Sequence, residues 1–76
     1  MTTDWQQHIN INPEVRFGKP CITGTRISVG DILGWLAGGM SQWHILEDFP
    51  ELRPEHLQAA LLFAASREGA IKTLVA

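Results

Sequence analysis

The sequence predicts a mainly α-helical domain, a three-helix helix-turn-helix bundle with a short N-terminal β-ribbon. Three observations lead there. The spacing of apolar residues changes from two to 3.6 near residue 28. Beyond that point three successive segments carry helix-start signals, and Gly38-Gly39 and Pro50 keep the connections between them short. The chain has 76 residues, 45% of them hydrophobic and 18% charged, which is too apolar for a disordered tail. So short a chain buries only about 60 to 65% of its unfolded surface, which argues against a large catalytic pocket. Residues 1–76 are therefore expected to form one domain: a loose stretch over 1–7, the ribbon over 8–27, the bundle over 28–67, and a tail or helix extension over 68–76.

The ribbon begins at His8-Ile9-Asn10-Ile11-Asn12, which alternates polar and apolar until Pro13 ends it. Glycines and Pro20 then punctuate strand-like pieces up to Ile27, so Ile9, Ile11, Ile22 and Ile27 are expected to hold a small sheet together. Ser28 and Asp31 have the spacing of a capping box, and Ile27 and Ile32 that of a hydrophobic staple. Val29, Ile32, Leu33 and Leu36 make the apolar stripe of a first helix that runs to about residue 37. Ser41 caps a second helix that stops near Phe49, with Met40 and Ile45 as its staple. Pro54 opens a third helix reaching about residue 67, stapled by Leu52 and Leu57 and with Arg53 as a poor cap. On that helix Leu57, Ala60, Leu61 and Ala64 form one face, while Leu62 and Phe63 point away from it.

Composition sets the compartment and limits the partners. The single cysteine, Cys21, excludes an internal disulfide framework and suits a reducing cytoplasm. No leader-like segment and no apolar run near eighteen residues is present, so neither secretion nor a membrane partner is expected. Six Lys and Arg against eight Asp and Glu give no global attraction to nucleic acid. The distribution is polar, however: Arg16, Lys19 and Arg26 lie on the ribbon, and Glu47, Asp48, Glu51 and Glu55 lie between the second and third helices.

The run Asn12-Pro13-Glu14, followed by Gly18-Lys19-Pro20-Cys21-Ile22-Thr23-Gly24-Thr25-Arg26-Ile27, Gly39-Met40-Ser41, Ile45-Leu46-Glu47-Asp48-Phe49-Pro50 and Leu52, closely resembles domain-of-unknown-function family 433. The likeness spans about residues 8–67. It implies a homeodomain-like, winged-helix-related fold and an antitoxin that binds and inhibits a PIN-like nuclease toxin and represses its own operon. It supplies no catalytic residues. Where the family usually has Thr or Ser this chain has Arg53, and Trp35 and Trp43 are unusual for their positions.

The residues themselves assemble no active site. Gly18-Lys19-Pro20 resembles a phosphate loop, but that pattern needs Gly where Pro13 stands and Ser or Thr where Pro20 stands. Cys21, between Pro20 and Ile22, reads as a small buried hydrophobe rather than a nucleophile. His8, His44 and His56 lack metal-ligand spacing, and the acidic cluster reads as a solvated corner. No catalytic residue, metal or cofactor is expected, and a small hydrolase or nucleotide-binding enzyme is the least supported class. The candidate DNA contacts are Arg16, Lys19, Arg26 and Gln58, which fit a plain transcriptional regulator as the alternative to an antitoxin. They imply weak, salt-dependent binding, because the third helix carries no Lys or Arg over 54–66. Arg26 is also a candidate anchor joining the ribbon to the first helix through Asp31. Leu62, Phe63, Ile71 and Leu74 are the candidate partner or homodimer surface.

Overall fold

The computed structural model describes residues 5–67. A 3-10 turn (Trp5–His8) leads into strand β1 (Ile9–Asn10), and strand β2 (Cys21–Ile22) follows a long connection. Three helices follow among the described residues: α1 (Val29–Ala37), α2 (Gln42–Asp48) and α3 (Pro54–Arg67). This is the expected bundle with its N-terminal ribbon. β1 and β2 pair antiparallel with Ile9 opposite Ile22 and Asn10 opposite Cys21. The expected strand over 8–12 is shorter because Asn12 turns the chain, its side-chain oxygen accepting from the Glu14 N–H at 2.9 Å. Ile11 consequently stands 58% exposed instead of holding the sheet.

Both predicted caps form. The Ser28 hydroxyl accepts from Asp31 N–H, and the Asp31 carboxylate accepts from Ser28 N–H, completing the capping box. α1 ends in a Schellman arrangement, with Met40 N–H donating to the Trp35 carbonyl and Gly39 N–H to that of Leu36. Gly39 sits at φ 101°, where a side chain would be strained. Ser41 caps α2 by accepting from His44 N–H. Trp35 stacks on Phe49 with ring centroids 4.3 Å apart, pinning the end of α2 to α1.

The core gathers Ile22 and Ile27 from the ribbon, Val29 and Ile32 from α1, Ile45 from α2, and Leu52, Leu57, Ala60 and Phe63 from the third segment. Here one expectation is corrected. Phe63 is buried at 8% exposure, whereas Leu61 is 41% exposed. The Trp5–His8 turn packs along α3, and Trp5 meets Phe63 edge to face at 5.9 Å. α3 is therefore covered by both the bundle and this turn, and its buried arc rotates away from Leu61 toward Phe63. Leu62 is half-buried.

Candidate functional site

Two surfaces remain once the core is accounted for. The first is the ribbon turn over 12–18. Val15 N–H donates to Asn12 C=O, and Gly18 N–H to Val15 C=O. Within this turn Arg16 (φ 53°), Phe17 (φ 58°) and Gly18 (φ 83°) are all left-handed. Left-handed backbone costs a non-glycine residue about 1–2 kcal/mol, and here two such residues adjoin. The turn is held from outside. One Arg16 guanidinium nitrogen donates to the Arg26 carbonyl at 2.9 Å and to the Asp31 carboxylate at 3.0 Å. Phe17, at the tip, is 99% exposed. A Phe that burial would stabilise by about 1.5–3 kcal/mol is thus presented whole to solvent on a strained backbone. Such strain concentrates at sites that contact other molecules.

This geometry corrects the reading of Arg26. Its side chain is exposed, and the residue joins ribbon to helix only through its backbone carbonyl. The anchor is Arg16, which leaves Lys19 and Arg26 as the exposed cations of the ribbon. Asp31, at the hub, is pulled two ways: burial works to raise its pKa, but the Ser28 backbone N–H, the Arg16 guanidinium and the Ser28 hydroxyl outweigh it. The carboxyl is held below its ordinary 3.8.

The second surface lies between α2 and α3. Gln42, Pro54, Glu55, Gln58 and Leu61 line an open groove of about 530 Å³. Trp43, next to Gln42, is 67% exposed. In a helix-turn-helix protein this is the side that enters the DNA major groove. Here the lining is mixed, Pro54 and Leu61 beside Gln42, Gln58 and the acidic Glu55, and Arg53 is the sole Lys or Arg over residues 41–66. Gln58 sits on this face, in the lining of the groove. Phe63 is spent inside the chain, and Ile71 and Leu74 lie outside the described residues.

Sequence spacing missed a histidine pair. His8, closing the N-terminal turn, and His56, in the first turn of α3, lie edge to face with ring centroids 5.2 Å apart. His56 Nδ1 accepts from the Arg53 N–H at 2.9 Å. It thereby performs half of a capping box that Arg53 has no side chain to complete. Its pKa is lowered below the ordinary 6.5, by burial first and then by His8 and Arg53, against a pull from Glu55. A histidine three residues beyond a poor cap is the signal that could have found it. Cys21 is buried, and among the described residues no group of three or more His, Cys, Asp or Glu is gathered for a metal. Among those residues, too, no helix is long and apolar enough to cross a membrane.

A short ribbon, a three-helix bundle and a cation-poor recognition face define a small helix-turn-helix-type module. The chain belongs to the DUF433 family, described as proteins of unknown function, whose profile matches residues 9–64. It is similar to the uncharacterized protein y4eO of Sinorhizobium fredii (strain NBRC 101917 / NGR234), at 32% identity over 56 residues. That match covers 74% of this chain and 25% of the relative, so the chain spans about a quarter of that protein's length. Among solved structures, a crystal structure of a DUF433 member from Anabaena variabilis ATCC 29413 superposes with a TM-score of 0.78 at 28% identity. It covers 93% of this chain and 71% of that one.

Proposed function

We propose that this protein is a non-catalytic, antitoxin-like module that inhibits a PIN-like nuclease by docking its α2/α3 face on the enzyme. The observation that carries the reading is the character of that face: Trp43 and Leu61 exposed, Glu55 at the groove, and no Lys or Arg other than Arg53 between residue 41 and residue 66, with Arg67 only at the far end of α3. DNA affinity comes largely from neutralised phosphates, which this face cannot supply. A nuclease must line the path of its substrate's phosphates with cations, and the acidic corner of Glu47, Asp48, Glu51 and Glu55 complements such a path. Exposed Trp is also the side chain most enriched among interface hot spots.

The test is to co-express the chain with the product of an adjacent reading frame that has the spaced acidic residues of a PIN-like nuclease, purify the two together and measure RNA cleavage. Stoichiometric chain should suppress cleavage. Trp43→Ala should weaken the complex at least tenfold, while Phe17→Asp should leave it intact. Absence of a complex with that nuclease overturns the proposal.

The alternative, a regulator that binds DNA, is favoured by one observation: Lys19 and Arg26 are exposed on the ribbon. With Arg16 committed to Asp31, each chain offers two such cations. A dimer would then give a logarithmic salt slope of only about −4.

A further inference from the structure

Phe17 is the most exposed large hydrophobic residue described, and nothing in the reading of the α2/α3 face uses it. We propose that Phe17 is a docking knob whose receptor is the α2/α3 groove of a second copy of this chain. The inference stands on the turn geometry and does not require a nuclease partner, and a nuclease docked on the α2/α3 face would compete with the second copy for this one groove.

The argument has three parts. First, the turn is braced rather than loose. Arg16 ties it to the Arg26 carbonyl and to Asp31, so the left-handed backbone is held and Phe17 is kept projecting. A rigid aromatic loses little freedom on docking, which is what an anchor residue requires. Second, the knob is framed by cations, Lys19 two residues on and Arg26 next to the Arg16 brace, both exposed. Its receptor should therefore offer apolar contact beside an anionic group. Third, this chain carries such a groove. Pro54 and Leu61 give the α2/α3 groove its apolar contact, Gln42 and Gln58 its polar lining and Glu55 its charge, and the exposed Trp43 follows Gln42 in the chain. At about 530 Å³ it has room for a phenyl ring. Two copies exchanging knob for groove would close a dimer, and a head-to-tail repeat would build a longer assembly. Both are self-association through the same contact.

The experiment is complementation between surface variants, read by light scattering and sedimentation across a concentration series. Phe17→Asp changes a fully exposed side chain, and Glu55→Lys an exposed one, so both variants should keep the wild-type circular dichroism spectrum. Each alone should be monomeric, with self-association weakened at least roughly thirtyfold. Mixed, they should form a one-to-one heterodimer through the one intact contact, stronger than either variant's self-association and weaker than a wild-type dimer that holds two, because the Glu55→Lys chain keeps its Phe17 and the Phe17→Asp chain keeps its groove. A wild type that stays monomeric, single variants that still associate, or a mixture that does not recover would each overturn the proposal. So would a wild-type monomer whose binding to duplex DNA is lost with Phe17→Asp, which would assign the knob to a base step. None of these readouts involves the nuclease, so failure here leaves the proposed function standing.

Discussion

Replacing Arg16 by Ala removes the brace between ribbon and α1 without changing anything buried in the core. The structure sets the size of the loss. The ion pair to Asp31 has both side chains about a third exposed, 34% and 33%, so solvent screening holds its contribution to about 0.5–1 kcal/mol. The bond to the Arg26 carbonyl adds about 0.5–1.5 kcal/mol. Alanine at φ 53° retains the left-handed strain, so no relief offsets the loss. The expected destabilisation is about 1–2.5 kcal/mol. For a domain of this size that lowers Tm by roughly 4–20 °C, readable by circular dichroism melts. Part of the effect should vanish in 1 M salt, where exposed charges are screened within about 3 Å. Arg26→Ala should change stability by less than about 0.5 kcal/mol, because Arg26 contributes a carbonyl that alanine keeps. If Arg26→Ala melts as low as Arg16→Ala, or Arg16→Ala melts like wild type, the assignment of the brace is wrong.

Two further outcomes follow from the geometry. His56 has a folded-state pKa below its unfolded 6.5, so between those values the unfolded chain binds the extra proton. Its stabilisation is therefore complete above pH 6.5 and is lost as pH falls from 6.5 through the folded value. His56→Gln, which preserves an acceptor for Arg53 N–H without titrating, should remove that step from a Tm–pH profile. Asp31, whose folded pKa lies below 3.8, stabilises above that value and loses its contribution as pH falls below it, so the two losses set in at different pH. Phe17→Gly relieves left-handed strain and gives up no burial. It should raise Tm by roughly 4–8 °C, the equivalent of about 1 kcal/mol, when melts are run dilute enough to keep the chain monomeric.

The helices were legible in the sequence because their signals are local. Ser28 with Asp31, Ser41, Gly39 and Pro54 each act within one turn of chain, and each does what its spacing predicts. What stayed hidden depends on partners distant in sequence. Periodicity places Leu61 on the same face as Leu57, yet Trp5 packs on Phe63 and turns the buried arc the other way. The choice between Arg16 and Arg26 as anchor depended on a left-handed turn that no composition rule assigns to Arg-Phe, since only glycine announces positive φ. The His8–His56 contact joins the N-terminal turn to α3 and has no local spacing at all. On the candidate face, Gln58 and the acids Glu47, Asp48, Glu51 and Glu55 are exposed, as their polarity in the sequence implies. The exposure of Phe17 became visible only with the fold.

The central claim is the proposal that the α2/α3 face docks on a PIN-like nuclease, and amide hydrogen exchange of the chain alone and mixed with a candidate PIN-like nuclease tests it most directly. Protection on binding should fall on α2 and the first turns of α3, around Trp43, Glu55 and Leu61, and should leave the ribbon amides over 19–26 unchanged. Protection confined to the ribbon, or none at saturating nuclease, would contradict the account.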